Sequence, residues 1–260
     1  MSSRGTQPWG DQEKKVILGI CFFNGTADRA VELARQGGLV VCPSAPVLLA
    51  MTEDAETRQA LLESRLALTD SGFMVLLWNL WQSDTVRRLS GLEYLKRLLD
   101  EPEMARPEAS FWIMPNEEVL SKSRAWLRQK GHPVPDSNFY LAPIYPAGSI
   151  ADEELLHRLR EAKPKHVFLA IGGGTQERLG AYLQRQLPPE TSIHCIGAAI
   201  AFLSGAQVNI PTWADQARLG WLLRCLSAPH IFIPRYLRAL RLVPVLWRYR
   251  ERLPELTVKG

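Results

Sequence analysis

Apolar positions along this chain fall into two alternating patterns. Dense apolar runs of four to eight residues recur at Val16–Phe23, Leu39–Cys42, Arg65–Asp70, Ser110–Met114, Lys165–Ile171 and Ser192–Ile196. Their length and their β-branched and aromatic content predict strands. Between them, apolar residues fall at helical spacing over Thr26–Gln36, 53–63, from just after Asp70 to about Trp81, and over Leu92–Leu99, Glu117–Lys130 and Gln176–Gln186. Gly37-Gly38 and Gly131 supply C-cap signals. Ser149 with Asp152 reads as a capping box for a further helix through Arg160. His132–Gly148 holds four prolines and reads as irregular. Strand alternating with helix predicts an α/β fold, a largely parallel sheet covered by helices on both faces.

The pattern changes near residue 207. Thr212 with Asp215 makes another capping box, for a helix over Trp213–Leu226, and then Pro229, Pro234, Pro244 and Pro254 cut the chain into short pieces. Arg238, Arg241, Arg248 and Arg252 fall near one helix face, with Leu240, Val243 and Trp247 on another and a kink expected at Pro244. This divides the chain into a flexible lead-in (1–14), an α/β catalytic domain (15–206) and a basic helical appendage (207–260).

Composition narrows the class. At 260 residues, 46% hydrophobic and 22% charged, the chain is an ordinary globular one. No apolar run approaches the ~18 residues a membrane span needs, and the polar N-terminus lacks the core of a secretory signal. The net charge of +4 is unevenly placed. Residues 224–260 carry eight basic and two acidic side chains, a net of +6, which leaves −2 for the rest. Such a tail suits an anionic partner. Nucleic acid is disfavoured, because basic and aromatic residues are not interleaved as on an RNA-binding surface. Cys21, Cys42, Cys195 and Cys225 form no C-x-x-C pair, and the five histidines make no ligand pair. Neither a metal nor a cofactor is expected.

Ligands of parallel sheets bind past the carboxyl ends of the strands. The polar residues there are Cys42 to Ser44, Asp70 with Ser71, Gly172 to Gln176, and Gly197. Asp70 reads either as a general base facing a cleft or as the N-cap of the following helix. Gly172-Gly173-Gly174 reads either as a diphosphate cradle at a helix N-terminus or as a plain tight turn. Glu177 stands where a nicotinamide fingerprint needs its last glycine, which disfavours a dinucleotide oxidoreductase. Arg88 reads as solvated surface or as a phosphate clamp.

Several stretches together resemble the WecG/TagA/CpsF family of bacterial glycosyltransferases. They are Cys195–Gly205, Ile210–Trp213, Leu219–Arg224, Pro234–Leu237, the Gly173–Glu177 loop, Thr69-Asp70 and Arg88–Glu93. The resemblance implies a Rossmann-like fold and an inverting, β-forming transfer of a hexose or N-acetylhexosamine. The donor would be a UDP-sugar and the acceptor a polyprenyl-diphosphate-linked saccharide. Work would take place at the inner face of the bacterial cell membrane, without a metal, and a homo-oligomer is left open. Asp70 falls on the family's proposed base. The substrate-binding set so implied is Cys42, Ser44, Ser71, Arg88, Tyr145, Gly172, Gly173, Gly174, Gln176, Gly197, Arg224 and Arg235, with Arg224 and Arg235 closing over the site from the appendage. Arg238, Arg241, Arg248 and Arg252 would contact the membrane. Cys42-Pro43-Ser44 stands where the family has Thr-x-Asn, and Met114-Pro115-Asn116 replaces its glycine pair. These departures carry the alternative of an inactive binding member of the same pathway.

Overall fold

The computed structural model describes residues 9–207 and 237–257. The chain opens on a hairpin of β1 (Lys14–Ile17) and β2 (Ile20–Phe23). The 16–23 run is thus two strands and not one. Leu18 (φ 52°) and Gly19 (φ 77°) form the two-residue turn that both-positive φ values require. The turn is held from outside, because Leu18 N donates to Arg250 O at 2.7 Å and Gly19 N to Glu251 O at 2.9 Å. Trp9 is buried edge-to-face on Phe23, so packed chain begins before residue 14.

Next come α1 (Ala27–Ala34), β3 (Gly38–Val41), α2 (Ala45–Ala50), α3 (Ala55–Glu63), β4 (Leu66–Leu68), α4 (Gly72–Trp81) and α5 (Gly91–Leu99). The second half holds β5 (Ser110–Met114), α6 (Glu117–Gln129), β6 (Phe139–Leu141), α7 (Glu153–Ala162), β7 (His166–Leu169), α8 (Thr175–Gln186), β8 (Ser192–Cys195) and α9 (Ala199–Leu203). The strands make one sheet in the order β1-β2-β4-β3-β8-β7-β5-β6. Every pairing is parallel except the β1–β2 hairpin. The fold is α/β and Rossmann-like, as expected.

Two apolar layers sandwich the sheet. Leu39, Val41, Val167, Leu169, Ile193 and Cys195 face one layer, beneath α2, α3, α4, α7 and α8. Val40, Trp112, Met114 and Phe168 face the other, beneath α1, α5, α6 and α9. The period-two alternation of buried strands delivers residues to both. Gly180 lets α8 settle on the sheet, since a Cβ there would lie 2.7 Å from Leu39 Cδ1.

Two elements inside stretches read as irregular, or left unassigned, are regular. β6 pairs with β5 as the sheet's edge strand, where proline-flanked chain is tolerated. α2 starts with Pro46 in its first turn. The cap of α7 is Asp152, which accepts from Leu155 N at 2.9 Å, and not the Ser149–Asp152 box.

The C-terminal stretch returns to the sheet domain. α10 (Leu242–Tyr249) buries Leu242 and Leu246 in the same layer as α4, and Trp247 meets Trp81 edge-to-face at 5.2 Å. Arg58 donates to Pro254 O at 2.6 Å, and Thr257 N to Thr52 O at 2.8 Å. Its inward stripe is therefore Leu242/Leu246. Leu240 and Trp247, expected on the apolar face, point outward, because the helix begins after residue 241 with Pro244 in its first turn. The expected helix over 213–226 lies outside the described residues. Among the described residues, no helix is long and apolar enough to cross a membrane.

Candidate active site

The chain leaves β3 for α2 on one face and leaves the adjacent β8 for α9 on the other. Such a reversal opens a crevice at the carboxyl ends of the two strands, the ligand position in open α/β sheets. Cys42–Ser44 lines its β3 side and Gly197 its β8 side.

Asp70 sits just past β4. It is not the cap of α4. Ser71 takes that part, its Oγ accepting from Met74 N at 3.3 Å. Oδ1 of Asp70 accepts from Gly91 N, the first residue of α5, at 2.9 Å. Arg88 Nε donates to Asp70 O at 3.2 Å. The segment bearing Arg88 is fixed from below. Thr69 donates to Arg87 O at 2.6 Å and accepts from Leu89 N at 3.0 Å. Asn24 holds Thr85 O and Arg87 N, and Asn79 holds both backbone groups of Val86.

The glycine bend lies on the same sheet edge. Gly174 (φ 87°) needs the left-handed region, and a Cβ on Gly173 would lie 2.6 Å from Val47 Cγ2 of α2. Gly172 faces open space. The bend is braced by Glu177, whose Oε2 accepts from Gly174 N at 2.6 Å and whose Oε1 accepts from Gln176 Nε2 at 2.9 Å. Gln176 in turn accepts from Gly197 N at 2.8 Å, tying the end of β8 to the start of α8. Burial raises the pKa of Glu177, against the lowering effect of its hydrogen bonds to Gln176 and Gly174.

Cys42 to Ser44 bridges the two groups. A Cβ on Gly91 would lie 3.3 Å from Cys42 Sγ, and one on Gly173 would lie 4.0 Å from Ser44 Oγ. Burial first, then the charges of Asp70 and Glu177, push the Cys42 thiol well up, which disfavours the thiolate.

The structure thus brings together Cys42, Ser44, Asp70, Ser71, Arg88, Gly172, Gly173, Gly174, Gln176 and Gly197. Tyr145, past the edge strand β6, stands one residue before the Pro146 carbonyl that Arg178 of α8 reaches at 2.9 Å. Its hydroxyl donates to Asp152 Oδ2 at 2.6 Å, and Tyr140 shares that carboxylate at 3.0 Å. Arg224 and Arg235 lie outside the described residues. The sequence reading missed Gly91 and Glu177. The signal for Glu177 was its place three residues after Gly174, the capping-box offset.

Away from the crevice, two histidines that the sequence spacing does not pair meet inside the core. His166 Nε2 lies 3.0 Å from Glu103 Oε1, His166 Nδ1 3.0 Å from His194 Nε2, and His194 Nδ1 2.9 Å from Tyr94 Oη. With both rings neutral, one proton order satisfies the row. Tyr94 donates to His194, His194 to His166, and His166 to Glu103. Among the described residues no group of three or more His, Cys, Asp or Glu side chains is placed to hold a metal.

The fold is that of a doubly wound α/β protein, with Asp70, Arg88 and the glycine bend at the carboxyl ends of its strands. The model of the Glycosyl transferase WecG/TagA/CpsF family matches residues 16–256, nearly the whole chain, and the protein belongs to that family. It is a transferase that takes a sugar donor and a glycan acceptor. No curated protein matches the chain.

Proposed function

We propose that the protein is an inverting glycosyltransferase that moves a hexose or N-acetylhexosamine from a UDP-sugar to a polyprenyl-diphosphate-linked saccharide, with Asp70 as general base. Asp70 takes the proton of the acceptor hydroxyl as that oxygen bonds to the anomeric carbon. The bond from that carbon to the UDP β-phosphate oxygen breaks on the opposite face, and UDP leaves with the electron pair, giving a β-linkage. The observation that carries this reading is the Asp70 carboxylate, held by Gly91 N–H at the sheet edge that also bears the glycine bend.

The bend and the N-terminus of α8 receive the donor diphosphate, where backbone N–H groups and the helix dipole favour negative charge. Gln176, itself held by Gly197 and Glu177, forms the floor of that site. Arg88 reaches the reacting groups from beside Asp70. Arg224 and Arg235 neutralise the departing UDP, an electrostatic contribution that needs no metal. Arg238, Arg241, Arg248 and Arg252 hold the protein to anionic lipid at the inner membrane face. Arg241 also pairs with Glu53 at 3.3 Å, so its share is the smaller one.

The buried Cys42 at the family's threonine position, with the departures at Ser44 and Met114-Pro115, favours a second reading, a catalytically inactive binder. Calorimetric titration of the full chain with UDP, followed by transfer assays over a panel of UDP-sugars, separates the two. UDP binding and a β-linked product support the enzyme. No UDP binding favours the binder, and an α-linked product overturns the inverting mechanism.

A further inference from the structure

The outer faces of α4 and α10 form a surface that the crevice does not use. No residue from Ser71 to Ser83 is charged, yet α4 is not enclosed among the described residues: Leu76 is 50% exposed and Leu80 72%. A water-facing helix ordinarily turns charged residues outward. Trp81, at the end of α4, contacts Trp247 of α10, which is itself 58% exposed. Trp247 lines an open groove with Pro244, Arg248, Arg250 and Arg252. The Arg250 guanidinium stands over the Trp247 ring, and Arg252 donates to Arg248 O at 3.0 Å. Three guanidinium groups therefore border Trp247, and the Trp81–Trp247 contact joins that groove to α4, which bears the two exposed leucines.

We propose that the α4–α10 surface docks on an anionic phospholipid bilayer. Leu76, Leu80 and Trp247 enter the interface, and Arg248, Arg250 and Arg252 hold the lipid phosphates. Charge selects this occupant. In a twofold contact a second copy of the chain would set the same arginines against one another, whereas lipid phosphates complement them. Tryptophan also favours the headgroup layer. The inference rests on the reading of the C-terminal arginines as lipid contacts and adds an element of the sheet domain to it. α4 starts two residues after Asp70, and ten helical residues span about 15 Å. The base thus stands within about one helix length of the lipid surface, where the diphosphate of a lipid-linked acceptor lies.

The test is flotation of the full chain with phosphatidylcholine vesicles, with and without phosphatidylglycerol. It compares Leu76→Ser/Leu80→Ser with Arg248→Gln/Arg250→Gln/Arg252→Gln, with melting curves and light scattering on each. The parent protein floats with the anionic vesicles only, and each variant loses about tenfold or more in partitioning while melting like the parent. The leucine variant keeps its transfer rate to a short water-soluble acceptor and loses it to the full-length lipid acceptor in vesicles. If the leucine variant floats like the parent while the arginine variant does not, α4 is not a lipid contact, though the arginine reading survives. If neither variant changes flotation, both ideas fail. Loss of a dimer in the leucine variant with unchanged flotation makes the surface a protein contact instead.

Discussion

Gly91 donates its backbone N–H to the Asp70 carboxylate at 2.9 Å across 21 positions of the chain, joining the end of β4 to the start of α5. Gly91 also lies close to Cys42, and a Cβ there would sit 3.3 Å from both Cβ and Sγ of Cys42. Gly91→Ala pushes α5 outward and moves the donor. We expect a stability cost of about 1–2 kcal/mol and a fall in kcat larger than that cost explains. Adding Cys42→Ala relieves the contact with sulfur. Recovery of kcat in the double variant, measured beside thermal unfolding, checks the argument.

Gly173 is close to α2 for a related reason, because Val47 Cγ2 lies 2.6 Å from where its Cβ would be. Gly173→Ala overpacks this contact at a cost of about 1–3 kcal/mol. Chemical denaturation of Gly173→Ala with and without Val47→Ala reads the relief. Equal losses in both backgrounds would place the strain elsewhere.

The buried His166–His194 row ties stability to pH. Burial lowers the pKa of both imidazoles, and His194 is further lowered by His166 and Lys165. Glu103 works in the opposite direction on His166. Folded-state values lie below unfolded ones, so the unfolded chain binds more protons. The stability these neutral rings confer is present above pH ~6.5 and is lost as pH falls below it, by about 1.4 kcal/mol per pH unit for each ring that must protonate. Melting temperature should fall between pH 7.5 and 5.5, and less steeply in His194→Gln. An identical slope in that variant would remove His194 from the effect.

The C-terminal stretch is a structural part of the fold. Leu242 and Leu246 are buried, and the carbonyls of Arg250 and Glu251 hold the Leu18–Gly19 turn. Deleting residues 237–260 should cost several kcal/mol, since burying each leucine contributes about 1.5–3 kcal/mol. Lipid binding must therefore be tested by substitution, because a deletion loses the fold with the tail. A truncated chain that melts like the full one would contradict this packing.

The parallel core was legible because its strands are buried on both faces and read as continuous apolar runs, as at Ser110–Met114. The polar ends of those runs exposed Asp70 and the Gly172–Gly174 bend. The hairpin was hidden because Leu18 is fully buried while occupying a positive φ, so no polar residue marks the turn. β6 and α2 were hidden by prolines that an edge strand and a first helical turn accommodate. The phase of α10 was misread because its helix starts later than the arginine spacing implies. Gly91 acts through contacts with Asp70 and Cys42 that only the assembled sheet creates, whereas Glu177 acts locally, through a capping offset that a glycine at the cap position disguises, and Tyr145 lies with Asp152 because the edge strand carries it there.

The most direct test is single-turnover transfer by Asp70→Asn, with UDP affinity measured on the same preparation. The amide keeps the shape of the carboxylate, including an oxygen for Gly91 N–H, but cannot accept the acceptor's proton. Loss of a general base predicts a fall of about 10²–10⁴-fold in the transfer rate with UDP affinity and melting temperature unchanged. Transfer at the parent rate would contradict the assignment of Asp70 and the mechanism built on it.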